Sequence, residues 1–116
     1  MEVIPCGGWE RCALLRAGDV EAVVTLDVGP RIIRFGFAEG PNELVEYAQD
    51  LGKTGGEEYR SYGGHRLWVA PEDRAITYEP DNSPVQVEEG QGWWQFSSEG
   101  KATGLRKTIG LRFDAA

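Results

Sequence analysis

Cationic residues are scarce in this chain. Twelve lysines and arginines stand against nineteen acidic residues, a formal net charge of −7. A diffuse negative field repels phosphate backbones and anionic lipid, so neither nucleic acid nor a membrane surface is an expected partner. Only two cysteines and one histidine occur. Cys6, Cys12 and His65 do not make up a zinc set, so no metal and no cofactor is expected. No apolar run approaches the ~18 residues of a membrane span. Met1-Glu2-Val3-Ile4-Pro5 has neither the basic start nor the apolar stretch of a secretory leader. The expectation is a cytoplasmic protein with reduced thiols. Phosphate loops, dinucleotide fingerprints and a Gly-x-Ser-x-Gly nucleophile context are also missing.

What the chain does have is glycine, proline and alternation. Sixteen glycines and six prolines among 116 residues, with 41% hydrophobic and 10% aromatic residues, predict an ordered all-β fold rich in turns. The length suits one domain, 1–116. From Glu21 to Val28, Ala22, Val24, Leu26 and Val28 fall on one face and Glu21, Thr25 and Asp27 on the other. Gly29-Pro30 turns the chain into a second alternating segment, with Ile33, Phe35 and Phe37 opposite Arg34. Glu10 to Leu15 reads as a strand before them. Near the C-terminus, Gly92 to Ser98 and Leu105 to Phe113 predict an antiparallel hairpin with Trp94 and Phe96 facing the core and Trp93 facing away. Between these blocks lies a long central loop. Ala48 to Gly64 is irregular and glycine-rich, and the prolines of Glu79-Pro80-Asp81-Asn82-Ser83-Pro84 break ladders and helices alike. The predicted architecture is an antiparallel β-sandwich without a convincing helix.

The densest chemistry is in Tyr62-Gly63-Gly64-His65-Arg66-Leu67-Trp68-Val69-Ala70-Pro71-Glu72. His65 is the only imidazole, so any acid–base step near neutral pH that uses one falls to it. The alternative is a histidine bonded to a loop carbonyl. Arg66 offers a planar fork of donors for hydroxyls or a carboxylate, or else pairs with an acidic neighbour. In an extended segment His65 and Arg66 point to opposite faces, unless Gly63-Gly64 introduces an irregularity. Arg60, His65, Arg66 and Arg74 could together form a positive pocket in a negative body. Trp68, Tyr62 and Trp93 offer flat apolar faces of the kind that pack on pyranose rings, although most buried aromatics are simply core. Trp93 would meet a ligand, a second layer or another subunit.

Several segments resemble the galactose mutarotase-like (aldose 1-epimerase-like) superfamily. Thr25-Leu26-Asp27-Val28-Gly29-Pro30-Arg31-Ile32-Ile33 is similar to its opening strand pair, and Tyr62 to Glu72 to the segment that follows in an uncharacterised branch. Tyr78-Glu79-Pro80-Asp81-Asn82-Ser83-Pro84-Val85 and Thr103-Gly104-Leu105-Arg106-Lys107 continue the likeness in order. The resemblance runs from about Trp9 to Phe113 and covers only the N-terminal half of the family fold. It implies half of a β-supersandwich that binds sugar across a concave face. Family mutarotases use a histidine and a glutamate as acid and base, with an arginine gripping hydroxyls. Carried over, this makes His65 the catalytic candidate and gives Arg66, Trp68, Arg31 and Glu72 binding roles. The family's catalytic glutamate and a further histidine belong to its later half.

These observations predict a sugar-binding or sugar-acid-binding protein that is not catalytic as a monomer. Two alternatives remain open: a mutarotase or epimerase whose site is completed across a dimer, and a protein-interaction scaffold that binds no sugar. An unfinished sheet leaves an edge and an apolar face to cover, so a homodimer or higher closed oligomer is expected.

Overall fold

The computed structural model describes residues 1–114 and contains two antiparallel sheets. The first is formed by β1 (Glu2–Cys6), β2 (Trp9–Ala17), β3 (Val20–Thr25) and β4 (Ile32–Phe37), in that order. The second contains β5 (Gln86–Gly90), β6 (Trp93–Glu99) and β7 (Arg106–Arg112). One helical turn, α1 (Arg74–Thr77), sits between them, capped by the Asp73 carboxylate, which accepts from the Ala75 amide. Among the described residues no helix is long and apolar enough to cross a membrane.

The first sheet is covered on both faces. Toward the second sheet, Ala13, Leu15, Val24 and Leu26 pack on Phe96, with Trp94 and Leu111 at the margin. On the opposite face, Cys12, Leu14 and Val23 pack with Trp9, Ile33 and Tyr62, and Leu51 of the central loop closes over them. The loop is held by the Trp9 indole, which donates to the Lys53 carbonyl at 3.0 Å. Asn82 holds it from the other side, donating to the Glu58 carbonyl at 2.7 Å and accepting from the Gly55 amide through its own carbonyl. The long loop thus serves as a third layer. Backbone polar groups that a sheet would have satisfied are satisfied by side chains instead.

Two features depart from the alternating pattern. A β-bulge on β4, opposite Val23 and Val24, leaves Ile33 without a register partner and places it in the core, while Phe35 and Phe37 remain exposed. An extra residue in one strand shifts the side-chain parity by one, so Ile33 no longer shares a face with the two phenylalanines. Val28 likewise joins the cluster opposite Val24 and Leu26. The other feature is β1, which pairs with β2 at the sheet edge and tolerates Pro5 there. Cys6 and Cys12 are both free thiols; burial pushes Cys12 up to about 12.

Gly63 and Gly64, at φ +94° and +69°, let the chain run between two backbones. A Cβ at Gly63 would sit 2.9 Å from the Glu46 Cα, and one at Gly64 would sit 3.0 Å from the Ile33 Cα. Neither neighbour is a side-chain tip that could swing away. Gly64→Ala is therefore expected to destabilise the fold by about 2 kcal/mol or more, because φ strain and a backbone clash combine. Urea unfolding would show this as a lower midpoint at unchanged slope.

Candidate functional site

The Gly-Gly entry delivers His65 and Arg66 to opposite sides. The His65 backbone bridges Ile32 in antiparallel fashion, with bonds of 2.9 and 3.0 Å, and its side chain faces outward, exposed. Arg66 turns inward and is 8% exposed. Its guanidinium donates to the Tyr59 hydroxyl at 2.5 Å and to the Thr77 carbonyl at 2.6 Å. The same group stacks on Trp68, 3.8 Å from the ring centroid. Tyr78 meets both Trp68 and Tyr59 edge-on, at 5.7 and 5.2 Å between centroids. Two aromatic rings, Tyr59 and Trp68, therefore flank one guanidinium, with Tyr78 edge-on to both, a favourable arrangement for a partly desolvated cation.

Arg31, immediately after the Gly29-Pro30 turn, is 2% exposed. It forms a two-pronged pair with Asp81, Nε to Oδ2 at 3.0 Å and Nη2 to Oδ1 at 3.1 Å. Its guanidinium also lies 4.8 Å from the centroid of Tyr62. The Tyr62 hydroxyl donates to Asn82 Oδ1 at 2.5 Å. The Asp81 carbonyl accepts from the Gly29 amide at 2.7 Å. The proline-rich segment is thereby fixed against the β3–β4 turn.

A cavity of about 340 Å³ opens beside this clamp. Gly29, Glu79, Asp81, Ser98, Gly100 and Lys107 contribute to its wall. A side notch of only about 10 Å³ shares Gly29, Asp81 and Lys107 with it and adds Pro30, Arg66 and Leu67, so a ligand would reach Arg66 from the cavity at the notch's mouth. The cavity's volume is at the small end of the ~300–1,000 Å³ typical of ligand sites. Asp81 is already engaged by Arg31. Glu79 is occupied by the Ala102 and Thr103 amides, both at 2.9 Å, and the Thr103 hydroxyl at 2.7 Å. Among the described residues, neither Arg66 nor Lys107 has a carboxylate within ion-pairing distance. Burial lowers the Lys107 ammonium from its usual value, and the nearby Arg66 charge lowers it further. Burial likewise lowers Arg66. The excess of cations is confined to the side notch, where Arg66 and Lys107 meet Asp81; the cavity wall itself also carries Glu57, Glu79 and Glu99.

The residues singled out from sequence divide into three groups. Arg66 and Trp68 stack at the notch, and Glu72, exposed, accepts from the Tyr78 hydroxyl beside them. Arg31 and Tyr62 lie together in the core and act as structural supports. His65 and Trp93 are separate from both groups, and Trp93 stands on the outward face of the second sheet, 39% exposed. The positive group is also composed differently from the expected one. Arg74 is exposed on α1, and Lys107 together with Arg31 takes the place of His65 and Arg74. Asp81, Lys107 and Tyr59 did not stand out in the sequence; the polar stretch between Pro80 and Pro84 was the available signal for Asp81. Among the described residues no group of three His, Cys, Asp or Glu side chains is arranged to hold a metal ion.

Comparison with protein-family models, with curated proteins and with solved structures finds no match to this chain.

Glu79 gives the site a pH signature. Burial alone would raise its carboxyl, but the Thr103 hydroxyl and the two amides hold it below the usual carboxylate range. A depressed folded value means stability that is present above the ordinary carboxylate pKa and is lost as pH falls through the folded one. Melting temperature should therefore drop on acidification below about pH 4. Glu79→Gln should be less stable at pH 7 and show a shallower acid slope, read by calorimetry across pH.

Proposed function

We propose that this protein binds a sugar, and preferentially a sugar acid, in the cleft between Gly29, Asp81 and Lys107, without catalysing anomer exchange in the single chain. The observation that carries the reading is Arg66 and Lys107 facing one notch without carboxylate partners, with the aromatic stack of Trp68 adjoining. A carboxylate on the ligand supplies the missing counter-charge, and a buried charge gains most from such a partner. The exposed face of Trp68, at 55%, suits the apolar face of a pyranose ring. The mutarotase-like resemblance of Tyr62 to Glu72 points to the same ligand class.

The position of His65 supports the non-catalytic reading. A general acid or base must come within hydrogen-bond reach of the proton it moves, directly or through one water. His65 contributes nothing to the wall of the cavity or the notch, and it is the chain's only histidine. We also propose self-association, as a homodimer, in the cytoplasm. Phe35 and Phe37, exposed at 46% and 61%, support it as apolar surface on the side of β4 that the bulge turns away from the Ile33 cluster.

Titration with glucuronate and with glucose by calorimetry separates the possibilities. Glucuronate should bind more tightly, and Lys107→Met should weaken it by about tenfold, the equivalent of one charge-assisted contact. His65→Ala should leave binding unchanged. Binding of neither compound would contradict the sugar reading, and an anomer-exchange rate abolished by His65→Ala would contradict the non-catalytic one. Light scattering should give twice the mass of one chain; a monomer mass at every concentration would contradict the dimer.

A further inference from the structure

The outward face of the second sheet carries a different surface, independent of the cleft. Along β6, Trp93, Gln95, Ser97 and Glu99 point outward, opposite in parity to the packed Phe96. Their cross-strand partners on β5 are Gly90, Glu88 and Gln86, and on β7 they are Arg112, Gly110, Thr108 and Arg106. Apart from Trp93, no side chain on this face is a large apolar one. A groove of about 510 Å³ runs over it, lined by Gln86, Glu88, Gln95, Ser97, Arg106 and Thr108, with Val87 at its edge.

Trp93 does not line the groove but stands on the same face, two residues before Gln95 and just past the groove's end, in a defined pose. Its indole leans across the ladder onto Gly90 and fills the space where any side chain at that position would stand. Gly110, the partner of Gln95, leaves bare backbone beside it: a Cβ there would meet only the Gln95 side chain, at 4.0 Å. The indole is thus supported from beneath and open above. At the other end Arg106 is fixed by bonds to Gln86 Oε1 at 3.3 Å and Ser97 Oγ at 2.8 Å. Donors and acceptors are therefore laid along a line that starts at an aromatic plate.

The charges on this face nearly cancel. Glu88 and Glu99 offset Arg106 and Arg112, and Asp114, paired with Arg112 at 3.6 Å just beyond β7, leaves a slight negative excess in a protein of net charge −7. A locally neutral, amide- and hydroxyl-rich groove complements a neutral polyhydroxylated ligand and favours neither a polyanion nor a polycation. Its length from Trp93 to Ser97 is roughly 13 Å at the rise of a β-strand, longer than one pyranose ring. The surface is too polar to need covering by an apolar partner. We propose that this face binds a neutral oligosaccharide chain, with one ring stacked on Trp93 and the following residues bonded by Gln95, Gln86 and Arg106. It lies on the opposite face of the sheet from Ser98 and Lys107, which share parity with the inward Phe96 and Ile109, so the two sites are separate.

Cellohexaose, maltohexaose and xylohexaose, each titrated into the full chain with tryptophan fluorescence as the readout, test this. At least one should bind and shift the emission. Trp93→Ala should weaken that hexaose by about tenfold or more, the scale of a lost aromatic contact. Gln95→Ala should weaken it too, and it retains the indole as a check that the fold is intact. Arg74→Ala, on α1 and outside both surfaces, should bind normally, and excess glucuronate should not displace the hexaose. Failure of all three hexaoses to bind, or binding indifferent to Trp93→Ala in a protein with native circular dichroism, would overturn the proposal. So would complete displacement by glucuronate, or an oligomer that Trp93→Ala dissociates.

Discussion

Arg31 leaves the β3–β4 turn with its guanidinium almost wholly buried and meets Asp81, fifty residues further along the chain. A cation taken out of water costs several kcal/mol, and only a well-aligned partner offsets that cost. The two-pronged contact with Asp81 provides that alignment, and the Tyr62 ring and the carbonyls of Arg60 and Gly63 complete the shell. Because both partners are tied to the backbone around Gly29, the pair fixes the proline-rich segment against the first sheet. The cleft wall is the outer side of that segment. Its shape, and the removal of Asp81 from the set of available counter-charges, both follow from this one interaction.

With Asp81 committed to Arg31, Arg66 and Lys107 have no ion-pair partner among the described residues, although Glu79, held by neutral donors, keeps its charge near Lys107. Arg66 is satisfied by neutral acceptors and aromatic faces, and Lys107 by no carboxylate within ion-pairing distance. Neutral acceptors satisfy the hydrogen-bonding capacity of a guanidinium but leave its charge largely uncompensated. That distinction underlies the sugar-acid reading: the notch is already well bonded, and what it still lacks is negative charge. The outer face of β5–β7 is the reverse case, nearly balanced in charge and lined by amides and hydroxyls, of which Gln86 and Ser97 already accept from Arg106, and for that reason it suits a different ligand.

Much of the sheet core was legible in the sequence because alternation is a local property. The pairing of Phe96 with Ile109, and of Trp94 with Leu111, needs only parity and a turn. The bulge at β3–β4 was not legible, since one inserted residue leaves composition unchanged while reversing the faces of Ile33 and Phe35. The Gly63-Gly64 pair did signal a close backbone approach, and the parity argument anticipated that His65 and Arg66 would diverge. Site chemistry was harder to see. Arg31 and Tyr62 have the residue types of a binding site but are consumed by Asp81 and Asn82, partners fifty and twenty positions away. Lys107 shares parity with Leu105, Ile109 and Leu111, so a lysine on the apolar side of the strand was a local signal that went unread. Its significance comes from the absence of a carboxylate within ion-pairing distance, which only the folded chain can show.

The most direct test of the cleft is an amide and arginine side-chain nitrogen NMR titration with glucuronate. The account predicts perturbations concentrated at Gly29, Arg66, Asp81 and Lys107, with the Arg66 Nε signal among the largest and His65 and Trp93 silent. Perturbations centred on His65, or none at saturating glucuronate, would contradict it.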